Sequence, residues 1–204
     1  MTRRRPFSLG ITGGICSGKT LFSGFLKEFF DAEYFNADDC VKKHLETDAE
    51  TAAEISRAFG PDILDASGRP RRDALRDIVF QDDSKRKLLE SILHPKVWSA
   101  CEESRLCAEK NRRSFLLADI PLIYETRSQA RFDAVALVAC SRETQLRRLA
   151  EERGIRAEQA SRILESQLPL ERKIPLADHV FWNDGLPDAL RDQARIFADN
   201  LQND

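Results

Sequence analysis

The sequence predicts an α/β protein, a parallel sheet flanked by helices, with a helical insert after its second strand and a charged helical segment before its last. Three observations predict this. The stretch Gly13-Gly14-Ile15-Cys16-Ser17-Gly18-Lys19-Thr20 fits the phosphate-binding pattern G-x-x-x-x-G-K-[ST], with a strand pattern before it and a helix pattern after it. Short apolar runs at 34–38, 115–119, 134–140 and 179–182 have the length of buried strands. Residues 39–111 lack such runs and are helical in pattern, more chain than a crossover between two strands needs.

The elements follow in order. Phe7, Leu9 and Ile11 alternate as the first strand, and Leu21, Phe22, Phe25, Leu26 and Phe29 recur at helical spacing after the glycines. At ordinary residue usage the four fixed positions of the loop recur by accident in roughly one chain of this length in a hundred. The flanking strand and helix make accident rarer still. Gly13 and Gly18 allow the close backbone approach that phosphate oxygens require, Lys19 reaches the β- and γ-phosphates, and Thr20 offers a hydroxyl to Mg²⁺. A P-loop NTPase-type core that binds a nucleoside triphosphate with Mg²⁺ is expected.

Tyr34-Phe35-Asn36-Ala37-Asp38 reads as the second strand, with the Asp38 carboxylate at its C-terminal end. Within the insert, Ala53 to Phe59 closes at Gly60-Pro61, and a turn-rich piece runs from Asp65 to Pro70. Leu75, Ile78 and Val79 mark one helix, and Leu88, Leu89, Ile92 and Leu93 mark another. His94-Pro95 is expected to end that helix and start the next, with Pro95 at the first helical position. Phe115 to Asp119 returns to strand, and its closing carboxylate resembles the acidic strand end that assists Mg²⁺ in such folds. Pro121-Leu122-Ile123-Tyr124-Glu125 is then a loop at the active edge. Ala134 to Cys140 is a fourth strand, Ser141 caps the next helix, His179 to Trp182 is a last strand, and Pro187 opens a terminal helix. The core is thus assigned to 6–38, 112–141 and 177–204, the acceptor-binding insert to 39–111, and a lid to 142–176. Eight cations against six anions between Arg142 and Lys173 leave most of the lid's charge to solvated ion pairs. One or two arginines are expected at the transferring phosphate.

Composition excludes several classes. With 204 residues and a net charge of −2, the chain has one sizeable core and no extensive footprint for nucleic acid. No apolar run approaches membrane length, and the basic Arg3-Arg4-Arg5 has no signal-peptide core behind it, so a cytoplasmic protein is expected. The five cysteines form no C-x-x-C pair and point to neither a disulfide framework nor a zinc site. A monomer or weak homo-oligomer is expected.

A phosphate loop alone does not choose a reaction. No guanine-reading N-K-x-D is present, and Asp65-Ala66-Ser67-Gly68 matches D-x-x-G only within a turn. A small enzyme with a helical insert and late arginines suits a kinase for a small acceptor. An alcohol acceptor keeps its proton near neutral pH and gains from a carboxylate within reach, which is the role open to Asp38; the alternative is a helix cap.

The chain resembles the dephospho-CoA kinases. The run from Gly10 to Thr20 is similar to their T-G-G-I-G-S-G-K loop, Asn36-Ala37-Asp38 to D-A-D, and Leu93-His94-Pro95 to L-H-P. Gly68 through Arg72, Leu75 and Phe80 follow their G-x-x-x-R-x-x-L-x-x-x-x-F, and Pro121 to Glu125 their P-L-L-F-E. Gln167 to Lys173, Ala177-Asp178 and Asn183-Asp184-Gly185 resemble the lid end and last strand. The resemblance runs in order from about residue 8 to 185. It implies ATP-dependent phosphorylation of the ribose 3′-hydroxyl of dephospho-CoA, the last step of coenzyme A synthesis. It implies Asp38 as base and Lys19 as a catalytic cation. Gly13, Gly14, Cys16, Ser17, Gly18, Thr20, Leu21 and Asn183 would lie at ATP, and Arg72, His94, Pro95, Leu122 and Glu125 near the acceptor. Thr20 and Asp119 would serve the metal.

Four departures stand out. Cys16 replaces a glycine, Leu21 a hydroxyl residue, and Asn36 the first Asp of D-A-D; Glu152 stands where a lid arginine is usual, leaving Arg148 or Arg153 to take its part. A nucleoside kinase and a non-catalytic ATP-binding regulatory module are the alternative readings.

Overall fold

The computed structural model describes residues 5–203, so Arg3 and Arg4 of the basic start lie outside the described residues. The chain divides into two compact units, residues 36–103 and the remainder.

In the larger unit, five strands among the described residues form one sheet in the order β2-β3-β1-β4-β5: β1 Phe7–Gly13, β2 Ala32–Asn36, β3 Phe115–Asp119, β4 Ala134–Ala139 and β5 His179–Trp182. β1 is central and parallel to both neighbours, with Leu9 opposite Leu117 on one side and Ala134 on the other. Every residue of β3 and β4 is buried, as expected for a parallel sheet covered on both faces. Alternation sets the faces. Leu9, Ile11, Leu117, Ala136 and Val138 join Phe22 and Leu26 of α1 (Lys19–Phe29) with Leu190 and Phe197 of the C-terminal helix (Pro187–Asn203) in one core. Phe181 links the layers, with its ring 4.3 Å from Phe22 and 5.1 Å from Phe197.

The parallel register brings Gly13, Asp119 and Ala139 to the same edge of the sheet, where ligands bind in such folds. After β4, Ser141 caps the next helix, its Oγ accepting the Thr144 N–H at 3.2 Å.

The smaller unit is helical. α2 (Ala37–Thr47) is capped by Asn36, whose Oδ1 accepts the Asp39 N–H at 2.9 Å; α3 (Ala49–Phe59) is capped by Asp48 and closed by Gly60 at φ 96°. α4 (Arg72–Gln81) and the residues up to 103 of α5 (Asp83–Lys110) complete it. Leu45, Ile55, Ile63, Leu75 and Leu93 form its core. The Asp65 carboxylate accepts the N–H groups of Ser67 and Arg69, so the formal D-x-x-G match is a closed turn.

Two expectations are corrected. The second strand ends at Asn36, and Asp38 lies in the first turn of α2, because the Asn36 side chain caps a helix that starts two residues early. Pro95 does not start a helix; it lies inside α5. Its fixed φ suits helical backbone, and the burial of Leu93 and Val97 around it offsets the hydrogen bond it forfeits and the crowding of its ring against the preceding turn.

In the lid region, α6 (Arg142–Arg153) ends at Gly154 in the left-handed conformation, and α7 (Ala157–Glu165) and the short α8 (Leu170–Lys173) follow. No helix among the described residues is long and apolar enough to cross a membrane, and all five cysteines are free.

Candidate active site

The phosphate loop is an arch held from outside by its carbonyls. Gln145 Nε2 donates to Ile15 O at 2.8 Å, Arg148 to Cys16 O at 3.0 Å, and Asn183 Nδ2 to Ser17 O at 2.8 Å. Across a trans peptide the carbonyl and the next N–H point opposite ways. Binding three successive carbonyls to the surrounding protein therefore turns the N–H groups of Cys16 and Gly18 to the other side, the arrangement that receives an anion. The Ser17 N–H also closes the turn onto Gly14 O at 3.1 Å.

Two glycines are required by this geometry. A Cβ on Gly13 would stand 2.5 Å from Ser17 Oγ and 2.6 Å from Val138 O. Gly18 has φ +89°, and a Cβ there would fall 2.1 Å from Asn183 Nδ2. Cys16 takes a left-handed φ of 54° without being glycine. Its thiol is pushed up by burial, against the pull of Arg153. The neighbouring Cys140 thiol is pushed up to about 11 by burial. Both are neutral thiols near pH 7.

Lys19, the first residue of α1, forms an ion pair with Asp119. Asp119 is completely buried, and its other oxygen accepts hydroxyl groups from Ser23 at 3.0 Å and Tyr34 at 3.1 Å. The strand-end carboxylate is thus fully satisfied, with Lys19 as its cation. Thr20 is exposed one residue further on, and Leu21 is exposed as well.

Arg148 and Asn183 act on the loop itself. Arg148 bridges Cys16 O and Asn183 O (2.9 Å), and Asn183 is 4 % exposed with its amide on Ser17. Arg153 is the exposed last residue of α6.

Of the residues expected near the acceptor, Leu122 and Glu125 lie on the turn after β3. Glu125 Oε1 accepts the Leu168 N–H at 3.0 Å and stands 2.6 Å from the ammonium of Lys173, whose side chain is 2 % exposed. Tyr124 beside it is pushed up to about 12 by burial. Arg72, His94 and Pro95 belong to the smaller unit, as Asp38 does: Arg72 opens α4, exposed and 3.9 Å from Glu46, His94 is half-buried and Pro95 exposed. Asp38 is exposed, and Asn36, not Asp38, caps α2.

The sequence gives Gln145 no role, and places Gln167 and Lys173 only within the lid-end pattern and Lys173 among the lid's charges. Gln167 Oε1 accepts the Ile15 N–H at 3.1 Å. A cavity of about 260 Å³ lies here, lined by Gly14 and Ser17 of the loop and by Gln145, Gln167, Leu168 and Lys173. For Gln167 the signal is its place at the head of the Gln167-to-Lys173 pattern; for Gln145 it is an uncharged polar side chain on a charged helix.

The family model for dephospho-CoA kinase matches residues 7–188. A dephospho-CoA kinase of Anaeromyxobacter dehalogenans is 38 % identical over 194 residues, covering 94 % of this chain and 90 % of that protein. A crystal structure of a Thermus thermophilus protein aligns with TM-score 0.78 and 29 % identity, over 96 % of this chain and 98 % of that one. The dephospho-CoA kinase of Campylobacter jejuni, at 23 % identity and TM-score 0.63 over 97 % of this chain and 98 % of that one, shares the fold. The phosphate arch on a five-stranded parallel sheet and a family match over nearly the whole length lead to one conclusion: the chain belongs to the dephospho-CoA kinase family.

Proposed function

We propose that this dephospho-CoA kinase moves the γ-phosphoryl group of ATP to the ribose 3′-hydroxyl of dephospho-CoA, giving coenzyme A and ADP. The observation that carries the reading is the arch of residues 15–17, whose carbonyls are held by Gln145, Arg148 and Asn183 so that the N–H groups of Cys16 and Gly18 face an anion. Asp38 takes the 3′-hydroxyl proton as that oxygen attacks the γ-phosphorus, the bond from phosphorus to the β–γ bridging oxygen breaks, and ADP leaves. Its place in the first turn of α2, just past the C-terminal end of β2, supports the assignment. Lys19 moves from Asp119 to the phosphates, where its charge is needed.

The donor set fits Mg²⁺. Asp119 and Thr20 offer hard oxygens, and among the described residues no group of three or more His, Cys, Asp and Glu competes as a cage for a softer metal. Mg²⁺ binds by one or two protein oxygens with phosphate and water completing its shell, and when bound it neutralises charge on the phosphates. Arg72, His94, Pro95, Leu122 and Glu125 serve the acceptor, as the family resemblance implies; 142–176 serves as lid, with Arg153 available to the transferring phosphate. A cytoplasmic location follows from the substrates.

ADP release with ATP·Mg²⁺, compared across dephospho-CoA, adenosine, uridine and AMP, tests the reading. Turnover with dephospho-CoA alone supports it. Turnover only with a nucleoside would make the chain a nucleoside kinase, and ATP binding without any turnover would make it a regulatory module.

A further inference from the structure

We infer that Gln145 and Gln167 are positioning residues of phosphoryl transfer: together they clamp both peptide groups of Ile15 and so fix the phosphate arch from the lid segment. This deepens the kinase reading and rests on it. The Gln167 Oε1 accepts the Ile15 N–H at 3.1 Å, and Gln145 Nε2 donates to Ile15 O at 2.8 Å. The two side chains come from separate places, Gln145 from α6 and Gln167 from the link after α7, and converge on one residue. Gly14 supplies a third observation, since a Cβ there would stand 2.6 Å from Gln145 Nε2 and 3.9 Å from Gln167 Oε1.

The clamp has its own anchor. Glu125 holds the Leu168 N–H, next in sequence to Gln167, and is itself paired with the buried Lys173. The buried Lys173 ammonium has no hydrogen bond besides this ion pair, so displacing Glu125 would leave an uncompensated buried charge. Glu125 therefore acts on the phosphate loop through the 167–173 segment. The consequence is a loop shaped before nucleotide arrives, which lowers the ordering cost of binding ATP while leaving acceptor binding alone.

The test compares Gln167→Leu, Gln145→Leu and the double variant. Each variant is read by ADP affinity in calorimetry, by the KM values of ATP and dephospho-CoA, and by hydrogen exchange at the Ile15 amide. Loss of either bond is expected to weaken ADP and raise the ATP KM about tenfold, with the dephospho-CoA KM within about twofold. The double variant should cost little more than either single one, because both side chains hold the same residue. Gly14→Ala should weaken ADP in the wild-type background and far less in Gln145→Leu. Equal losses for both substrates, or unchanged ADP affinity, would overturn the inference. If the variants fail to fold, the wild-type Ile15 amide decides: slow exchange without nucleotide supports the clamp, and exchange as fast as an open loop overturns it. ADP affinity and exchange need no acceptor, so a failed acceptor assignment leaves this test intact.

Discussion

Replacing Cys16 by glycine is expected to stabilise the protein. Cys16 is the loop residue held at φ 54° with a side chain present, and left-handed backbone costs an L-residue about 1–2 kcal/mol. Glycine removes that strain but makes the unfolded chain looser, at a cost of about 0.4–1 kcal/mol. The contacts made by Cys16 O with Arg148 are backbone contacts and survive the change. The net gain is about 0.5–1 kcal/mol, which for a chain of this size raises Tm by about 2 °C. Cys16→Ala is the control, since it removes the same thiol and keeps the strain. Thermal unfolding of the two variants, without and with ADP, measures the difference. A Cys16→Gly melting point at or below that of Cys16→Ala would refute the argument that this loop position stores strain.

Asp38→Asn is expected to lower kcat by about 10²–10⁴ with α2 intact, because the cap belongs to Asn36; paired kinetics and circular dichroism check this. Lys19→Met strips the cation from a fully buried carboxylate and should cost about 3–5 kcal/mol in denaturant unfolding, whereas Lys19→Met with Asp119→Asn should regain much of the stability and none of the turnover. In the smaller unit, the Thr51 hydroxyl foremost, with His44 and the Glu50 N–H, holds the Asp48 carboxyl at about 2, below its ordinary 3.8. A depressed carboxyl stabilises the fold above its unfolded value and ceases to do so as pH falls through the folded one. After discounting for its 28 % exposed side chain, about 1 kcal/mol should be present above pH 4 and lost toward pH 2. Asp48→Ala should flatten that stretch of the stability–pH curve.

The sheet and the loop were legible because they rest on local rules. Strand alternation, the glycine positions and the Ser141 cap are each written within a few residues. Asp38 was misplaced by two residues because Asn36 reads equally as a strand residue and as a cap, and only the helix hydrogen bonds decide. Pro95 misled for a similar reason: its missing N–H argues for a helix start, while the buried Leu93 and Val97 favour continuation. Lys173 counted among the lid's solvated charges, yet it is buried because Glu125, some fifty residues earlier, comes to meet it. Gln145 and Gln167 acquire their role from the same kind of long-range closure, which no spacing rule encodes. Arg148, one of the two candidate lid arginines, is bound to the loop's own carbonyl at Cys16, a contact that no spacing in the sequence encodes.

The most direct test of the central claim is transfer of label from γ-labelled ATP to dephospho-CoA, with the product identified by mass and by the position of the new phosphate, and with Lys19→Ala as the blank. The account predicts labelled coenzyme A carrying the phosphate on the ribose 3′-oxygen, absent from the blank. Label released only as inorganic phosphate, or found on another hydroxyl, would contradict it.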